Sequence, residues 1–188
     1  MEKLPTVIVL ASGRGERFRA AGGEGSKLQA MLAGQTVLAR TLAAVQASGL
    51  PWHLEDAGHP GMGDSIAAAV RATPNAAGWL ILPGDLPLVQ TASLRAVAAA
   101  LRDGGPQAAQ PNYDGERGHP VGFAAGCYAA LAGLQGNQGA APVLRALRGT
   151  DSVADVVVDD IGIVTDIDTP AALQAAELLL AARLSASR

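Results

Sequence analysis

Short apolar runs alternate along the chain with longer segments whose apolar residues recur at helical spacing. Residues 6–11, Thr-Val-Ile-Val-Leu-Ala, form an unbroken apolar run dominated by β-branched residues. With no polar alternation, such a run predicts a strand buried on both faces, the signature of a parallel sheet. Residues 79–83, Trp-Leu-Ile-Leu-Pro, repeat the pattern. Shorter strands are predicted over 51–55, 107–111, 120–124, 153–158 and 162–164. Residues 36–48 place Val37, Leu38, Leu42 and Val45 on one stripe and meet Gly49, which predicts a helix. Further helices are expected over 64–73, with Asp64 or Ser65 as cap, and over 93–102, 128–134, 142–147 and 171–184. Thr169-Pro170 caps and starts the last of them. Residues 12–26, rich in Gly and charge, read as a loop that leaves Lys27 exposed. The alternation predicts an α/β fold: three α/β/α layers around a mostly parallel, doubly wound sheet.

Composition narrows the function more than the fold. A chain of 188 residues without a linker-like stretch predicts one domain, 1–188. Apolar residues at 49% and charged residues at 16% exclude a disordered chain. Aromatics at 3%, a net charge of -3 and a pI near 5.5 argue against nucleic acid and anionic membrane as partners. Any phosphate ligand must then be held by local groups. The single cysteine, Cys127, excludes a disulfide framework and a cysteine-based zinc site, and points to a reducing, cytoplasmic compartment. Cys127 itself lies in a small-residue helix and reads as a buried hydrophobe. The apolar run at 6–11 is too short for a signal sequence or a membrane span. The last helix carries Gln174, Glu177 and Arg183, so a surface helix is expected.

In open α/β sheets ligands bind at the carboxyl ends of strands, and two such ends carry chemistry here. The first strand runs into Ser12-Gly13-Arg14-Gly15-Glu16-Arg17-Phe18, with Lys27 following. Glycines let the backbone approach an anion, and Arg14, Arg17 and Lys27 supply neutralising charge. The loop is neither a dinucleotide fingerprint, since Phe18 takes the place of a small residue, nor a Walker A loop, since Leu28 follows Lys27. The second end is Pro83-Gly84-Asp85-Leu86-Pro87. A carboxylate on so rigid a support suits a Mg²⁺ that also takes phosphate oxygens. Asp166-Ile167-Asp168-Thr169-Pro170 puts two carboxylates on one face, although Asp-Thr-Pro also serves as an ordinary helix start. His119 stands in Gly-His-Pro-Val-Gly-Phe at 118–123, where a structural role is as natural as a chemical one.

Taken in order, these segments resemble the MobA-like nucleotidyltransferase family, in particular its MocA-like molybdenum-cofactor branch. The resemblance rests on Leu-Ala-x-Gly with Arg and Lys over 10–27, Gly-Met-Gly-x-Ser at 61–65 and Gly-Asp-Leu-Pro-Leu at 84–88. It continues through Gly-His-Pro-Val-Gly-Phe at 118–123, Gly136-Asn137-Gln138-Gly139-Ala140 and Asp-Ile-Asp-Thr-Pro at 166–170. It implies a nucleotide-diphospho-sugar-transferase-like fold and transfer of a nucleotidyl group from an NTP to a molybdopterin phosphate. The implied roles are base contact by Leu10, Ala11, Ser12 and Gly13, and phosphate contact by Gly15, Arg17 and Lys27. Gly63 and Ser65 would border the nucleotide, Asp85 and Asp168 would hold Mg²⁺, and His119 would touch the acceptor. A client molybdoenzyme is an implied partner. The chain departs from the family's pattern in three places. Ser12 replaces the Ala of the cytidylyl pattern or the Gly of the guanylyl pattern, which favours CTP over GTP. Phe18 stands where Met is common, and the spacing to Lys27 is longer than usual. Residues 50–61 have room for one strand where the family has two, so one edge strand is expected to be missing. Two other readings remain open: a nucleotidyltransferase for a sugar phosphate or similar acceptor, and a non-catalytic carrier of nucleotide or cofactor.

Overall fold

The two most apolar runs become adjacent parallel strands at the middle of the sheet, with Val7 opposite Leu80 and Leu10 opposite Pro83. The computed structural model describes residues 3–13, 15–102 and 104–186. In chain order its elements begin with β1 (Thr6–Leu10), α1 (Glu16–Ala20), β2 (Met31–Leu32), β3 (Gln35–Thr36), α2 (Val37–Ser48) and β4 (Trp52–Glu55). Then come α3 (Met62–Ala72), β5 (Gly78–Pro83), α4 (Thr91–Ala100), β6 (Ala108–Tyr113), β7 (Glu116–Arg117) and β8 (Val121–Ala124). The last four are α5 (Tyr128–Ala132), α6 (Ala141–Arg148), β9 (Val153–Val157) and α7 (Pro170–Ala186).

The main sheet runs β4-β1-β5-β8-β6, with β9 along the far side of β6 and β7 closing a hairpin on the end of β6. β4, β1 and β5 are parallel, as are β6 and β9, whereas β8 runs antiparallel to both its neighbours. The reason is connectivity. β6 returns through β7 into β8 without a crossover helix, and a short connection can only reverse the chain. Between Leu50 and Gly61 the chain forms one strand, β4, and that strand is an edge of the sheet.

Side-chain alternation along β1 explains the layers. Val7 and Val9 face a core with Leu82, Val45, Leu94 and Val97, under α2 and α4. Ile8 faces the opposite core with Ile66, Val70, Trp79 and Leu131, under α3 and α5. A third cluster joins Phe18, Leu28, Leu32 and Ile167 to Ala176 of α7.

Three expectations change. Residues 162–164 form not a strand but a 3-10 turn, Ile161–Ile163. A Cβ on Gly162 would lie 2.1 Å from the Leu88 carbonyl oxygen, so this segment is threaded against backbone with no room for a ladder. Residues 12–26 are not all loop, because Phe18 is buried and draws α1 onto the third cluster. Asp64 and Ser65 are not caps. α3 begins at Met62, and Asp64 instead accepts a 2.9 Å hydrogen bond from the Gly136 amide.

Asp160 holds the turn in place. Its buried carboxylate accepts from Gln90 N at 2.8 Å, Ser93 Oγ at 2.7 Å and Gly162 N at 2.9 Å. Arg183 of α7 adds a 3.4 Å contact. Asp160→Ala strands three donors in the interior, and is expected to cost about 3 kcal/mol in denaturant unfolding. An unchanged midpoint would show that the carboxylate does not anchor the turn.

Candidate active site

Parallel pairing brings the ends of β1 and β5 to the same rim. The Gly84 amide donates to the Leu10 carbonyl at 2.9 Å, and a Cβ at Gly84 would come within 2.9 Å of that oxygen. Glycine is therefore required for Asp85 to follow β5 so closely. The Asp85 carbonyl in turn accepts from the Ile167 amide at 3.0 Å. Ile167 is buried, so its neighbours Asp166 and Asp168 turn together toward Asp85. One carboxylate oxygen from each of Asp85, Asp166 and Asp168 lies within 4.8 Å of the others.

Lys27 enters this group. Its Nζ donates to Asp85 Oδ2 at 2.5 Å and to Asp168 Oδ1 at 2.6 Å. Its side chain is only 14% exposed, against the expectation of an exposed loop residue, because its ammonium is drawn into the cleft between Asp85 and Asp168. Arg17 Nη1 reaches Asp168 Oδ2 at 2.6 Å from the solvent side. Burial pulls the Lys27 ammonium down, but the Asp85 charge and the hydrogen bonds to both aspartates outweigh it and hold it above the usual lysine value. Burial pushes Asp168 up, but hydrogen bonds from Lys27 and Arg17 outweigh that and hold it below the usual range. Asp166 is raised, first by loss of hydration and then by the charges of Asp168 and Asp85.

The group is short of positive charge. Among the described residues three carboxylates face two cations, and Asp85 Oδ1 is buried with no hydrogen-bond partner. A buried carboxylate oxygen without a donor is costly unless a cation completes it. Hard oxygen donors at this spacing suit a divalent ion such as Mg²⁺ or Mn²⁺.

The acidic group sits where two lobes of one cleft meet. The lobes, about 590 and 460 Å³, share Gly13, Lys27 and Asp85. Leu10, Ser12 and Ser65 line the smaller lobe, where the two serine hydroxyls are 2.9 Å apart. Gly15, Arg17, His119 and Asp168 line the larger. Gly15 has φ of 61°, a left-handed turn that favours glycine. His119 is recessed in the wall. Burial pulls its imidazole down, against the charges of Asp85 and Asp166, and its amide donates to the Ile163 carbonyl at 2.9 Å.

Two residues implied by the resemblance lie elsewhere. Ala11 points into the third core cluster, and its amide donates to the Glu55 carbonyl at 2.8 Å. Gly63 is buried behind the wall. Its amide donates to the Gly136 carbonyl at 2.7 Å, and a Cβ there would lie 2.8 Å from Gln135 O. Its glycine serves close packing of α3 against that loop. Arg14 falls outside the described residues. The structure also adds wall residues that sequence reasoning missed: His59 and Asn137 in the smaller lobe, Glu116 and Arg117 in the larger. They come from two separate loops and from strand β7, and only folding places them at the cleft. Asp166 was legible in the alternation around Ile167.

Comparison with known proteins agrees with this architecture. A nucleotidyl transferase from Methanothermobacter thermautotrophicus is 20% identical, with a TM-score of 0.73 over 94% of this chain and 97% of its own. Mycobacterium tuberculosis Rv0371c, solved in complex with manganese, is 20% identical, with a TM-score of 0.68 over 92% and 97%. Molybdopterin-guanine dinucleotide biosynthesis protein A from Archaeoglobus fulgidus is 20% identical, with a TM-score of 0.61 over 94% and 98%. At these identities the likeness is one of fold. No curated protein matches the chain significantly. The model of the MobA-like NTP transferase domain matches residues 43–153, more than half the sequence, and the chain belongs to that family.

Proposed function

We propose that this chain, as a single catalytic domain, transfers a nucleoside monophosphate from an NTP to the phosphate of a molybdopterin-type acceptor. CTP is the favoured donor, and pyrophosphate leaves. One observation carries the reading: the incompletely neutralised group of Asp85, Asp166 and Asp168, with Lys27 and Arg17, stands at the junction of two lobes. A reaction joining two bound molecules needs that layout. The smaller lobe, with Ser12 and Ser65, takes the nucleoside, and the larger, with His119 and Arg117, takes the acceptor.

An oxygen of the acceptor phosphate attacks the α-phosphorus. The new P–O bond forms as the bond to the β-phosphate oxygen breaks, and pyrophosphate carries the charge away. The attacking oxygen is already anionic, so no strong base is needed. Lys27 and Arg17 supply fixed positive charge to the phosphoryl oxygens, Lys27 as a point charge and Arg17 as a fork. Asp85 and Asp168, with Asp166 alongside, would hold Mg²⁺, which supplies Lewis-acid neutralisation of the triphosphate. Relatives of the same fold that are named for manganese binding and for molybdopterin-guanine dinucleotide biosynthesis support the ion and the acceptor class. The CTP preference rests on Ser12, a small side chain in the base-side wall. No helix among the described residues is long and apolar enough to cross a membrane, and Cys127 is a buried free thiol.

Pyrophosphate release should require an NTP, Mg²⁺ and molybdopterin together, with CTP giving the highest kcat/KM. Higher kcat/KM with GTP would reverse the base assignment alone. Turnover only with a sugar phosphate would replace the acceptor. Tight nucleotide binding without turnover on any acceptor would make the chain a carrier.

A further inference from the structure

The smaller lobe has a polar group that the transfer chemistry does not use. β4 ends in Glu55, whose carboxylate is buried below the rim of the lobe. Glu55 Oε1 accepts from the Ala57 amide at 3.2 Å and meets His59 Nε2 at 3.1 Å. The other carboxylate oxygen faces His53 Nε2 at 3.7 Å. The Glu55 backbone also holds the β1 end, since its carbonyl accepts from Ala11 N at 2.8 Å. His59 thus stands on a fixed support, and with Pro60, Ser12 and Leu10 it lines the lobe.

Its chemistry follows from the pairing. A carboxylate only accepts, so Nε2 of a neutral His59 carries the proton. Nδ1 is then left as an acceptor. An acceptor in the wall of a base pocket pairs with an exocyclic amine and opposes a carbonyl oxygen. Cytosine presents an amine at its 4-position, whereas uracil presents an oxygen there. We infer that Glu55 fixes the tautomer of His59 so that its Nδ1 reads the exocyclic amine of the base, and that this pair rejects UTP. His59 is the specificity-determining residue and Glu55 its positioning residue. The inference rests on the smaller lobe being the nucleoside site.

Equilibrium binding tests it without turnover. CTP, UTP and inorganic tripolyphosphate are titrated calorimetrically with Mg²⁺ at pH 8. The wild-type protein is expected to bind CTP at least about tenfold tighter than UTP, the scale of one satisfied hydrogen bond against one opposed acceptor. His59→Ala should bring the two nucleotides within about twofold while leaving tripolyphosphate affinity unchanged. Glu55→Gln keeps an acceptor oxygen for both Ala57 N and His59 Nε2, so it should preserve the preference. Glu55→Ala frees the ring and should erode it. Equal binding of CTP and UTP by the wild type overturns the inference but leaves the transferase reading standing. So does a preference that survives His59→Ala. A wild-type protein that binds neither nucleotide nor tripolyphosphate overturns both.

Discussion

Asp85→Asn is expected to lower nucleotidyl transfer by about three orders of magnitude while the protein stays folded. The substitution keeps the shape of a side chain that is 13% exposed, and removes a carboxylate whose Oδ1 is buried with no donor among the described residues. Its effect on folding should be small for an electrostatic reason. Among the described residues Asp85, Asp166 and Asp168 pair with Lys27 and Arg17, which leaves one negative charge in excess within that group before any ion binds. Lys27 keeps Asp168 as a partner at 2.6 Å after the change. The melting temperature should therefore move by less than about 4 °C, and an increase is as natural as a decrease. Removing the excess charge should also let Asp166 fall back toward the ordinary carboxylate range, because Asp85 is among the charges that raise it. Calorimetric titration with Mn²⁺ should show weakened metal binding. A variant with wild-type turnover and wild-type Mn²⁺ affinity would remove Asp85 from the metal site.

Lys27→Ala should be equally damaging to turnover and should differ in every other readout. Loss of one charge-stabilising group from a phosphoryl-transfer transition state is worth about two to three orders of magnitude. In the free protein, though, the Lys27 ammonium bridges Asp85 and Asp168 in a part-buried position. Among the described residues its removal leaves three carboxylates with Arg17, whose side chain is 83% exposed and strongly screened. A cost of about 1–2 kcal/mol follows, or roughly 3–6 °C in melting temperature. Millimolar Mg²⁺ should recover most of that loss, because the ion then neutralises the same oxygens. Thermal melts of wild type and variant, each with and without Mg²⁺, measure this directly. A variant whose melting temperature is unchanged and insensitive to Mg²⁺ would show that the ammonium does not neutralise the cluster.

Much of the molecule was legible in one dimension, and the reason is local. The runs at 6–11 and 79–83 are apolar on both faces because their strands are central and covered twice, so periodicity alone exposes them. Val37–Ser48 was legible from its stripe and its Gly49 stop, and Thr36 caps it with a 3.1 Å bond to Ala39 N. Thr169 likewise caps α7 through Ala172 N at 3.1 Å, which leaves the Asp168 carboxylate for the cleft. The chemical pieces Arg17, Lys27, Asp85 and Asp168 stood out because charge beside glycine or after a buried strand is unusual.

What tertiary structure decided is how those pieces face one another. Nothing in Gly-Ser-Lys-Leu says that the Lys27 ammonium will be met by Asp85 and Asp168, which are 58 and 141 residues away in sequence. Ala11 and Gly63 sit inside motifs, yet the direction of the Ala11 side chain follows from its packing on the third cluster, and the need for glycine at 63 from the close approach of residues 135–136. The turn at 161–163 is set by the Leu88 carbonyl, which lies far away in sequence. Short-range periodicity and residue type suffice for the central strands, the long helices and the inventory of charged groups, but not for α1, β2, β3, β7 or the turn at 161–163. The partners of each charge were decided only when parallel pairing of β1 with β5, and the Ile167 amide on the Asp85 carbonyl, brought distant segments within hydrogen-bonding distance. Such contacts are long-range, and no local propensity encodes them.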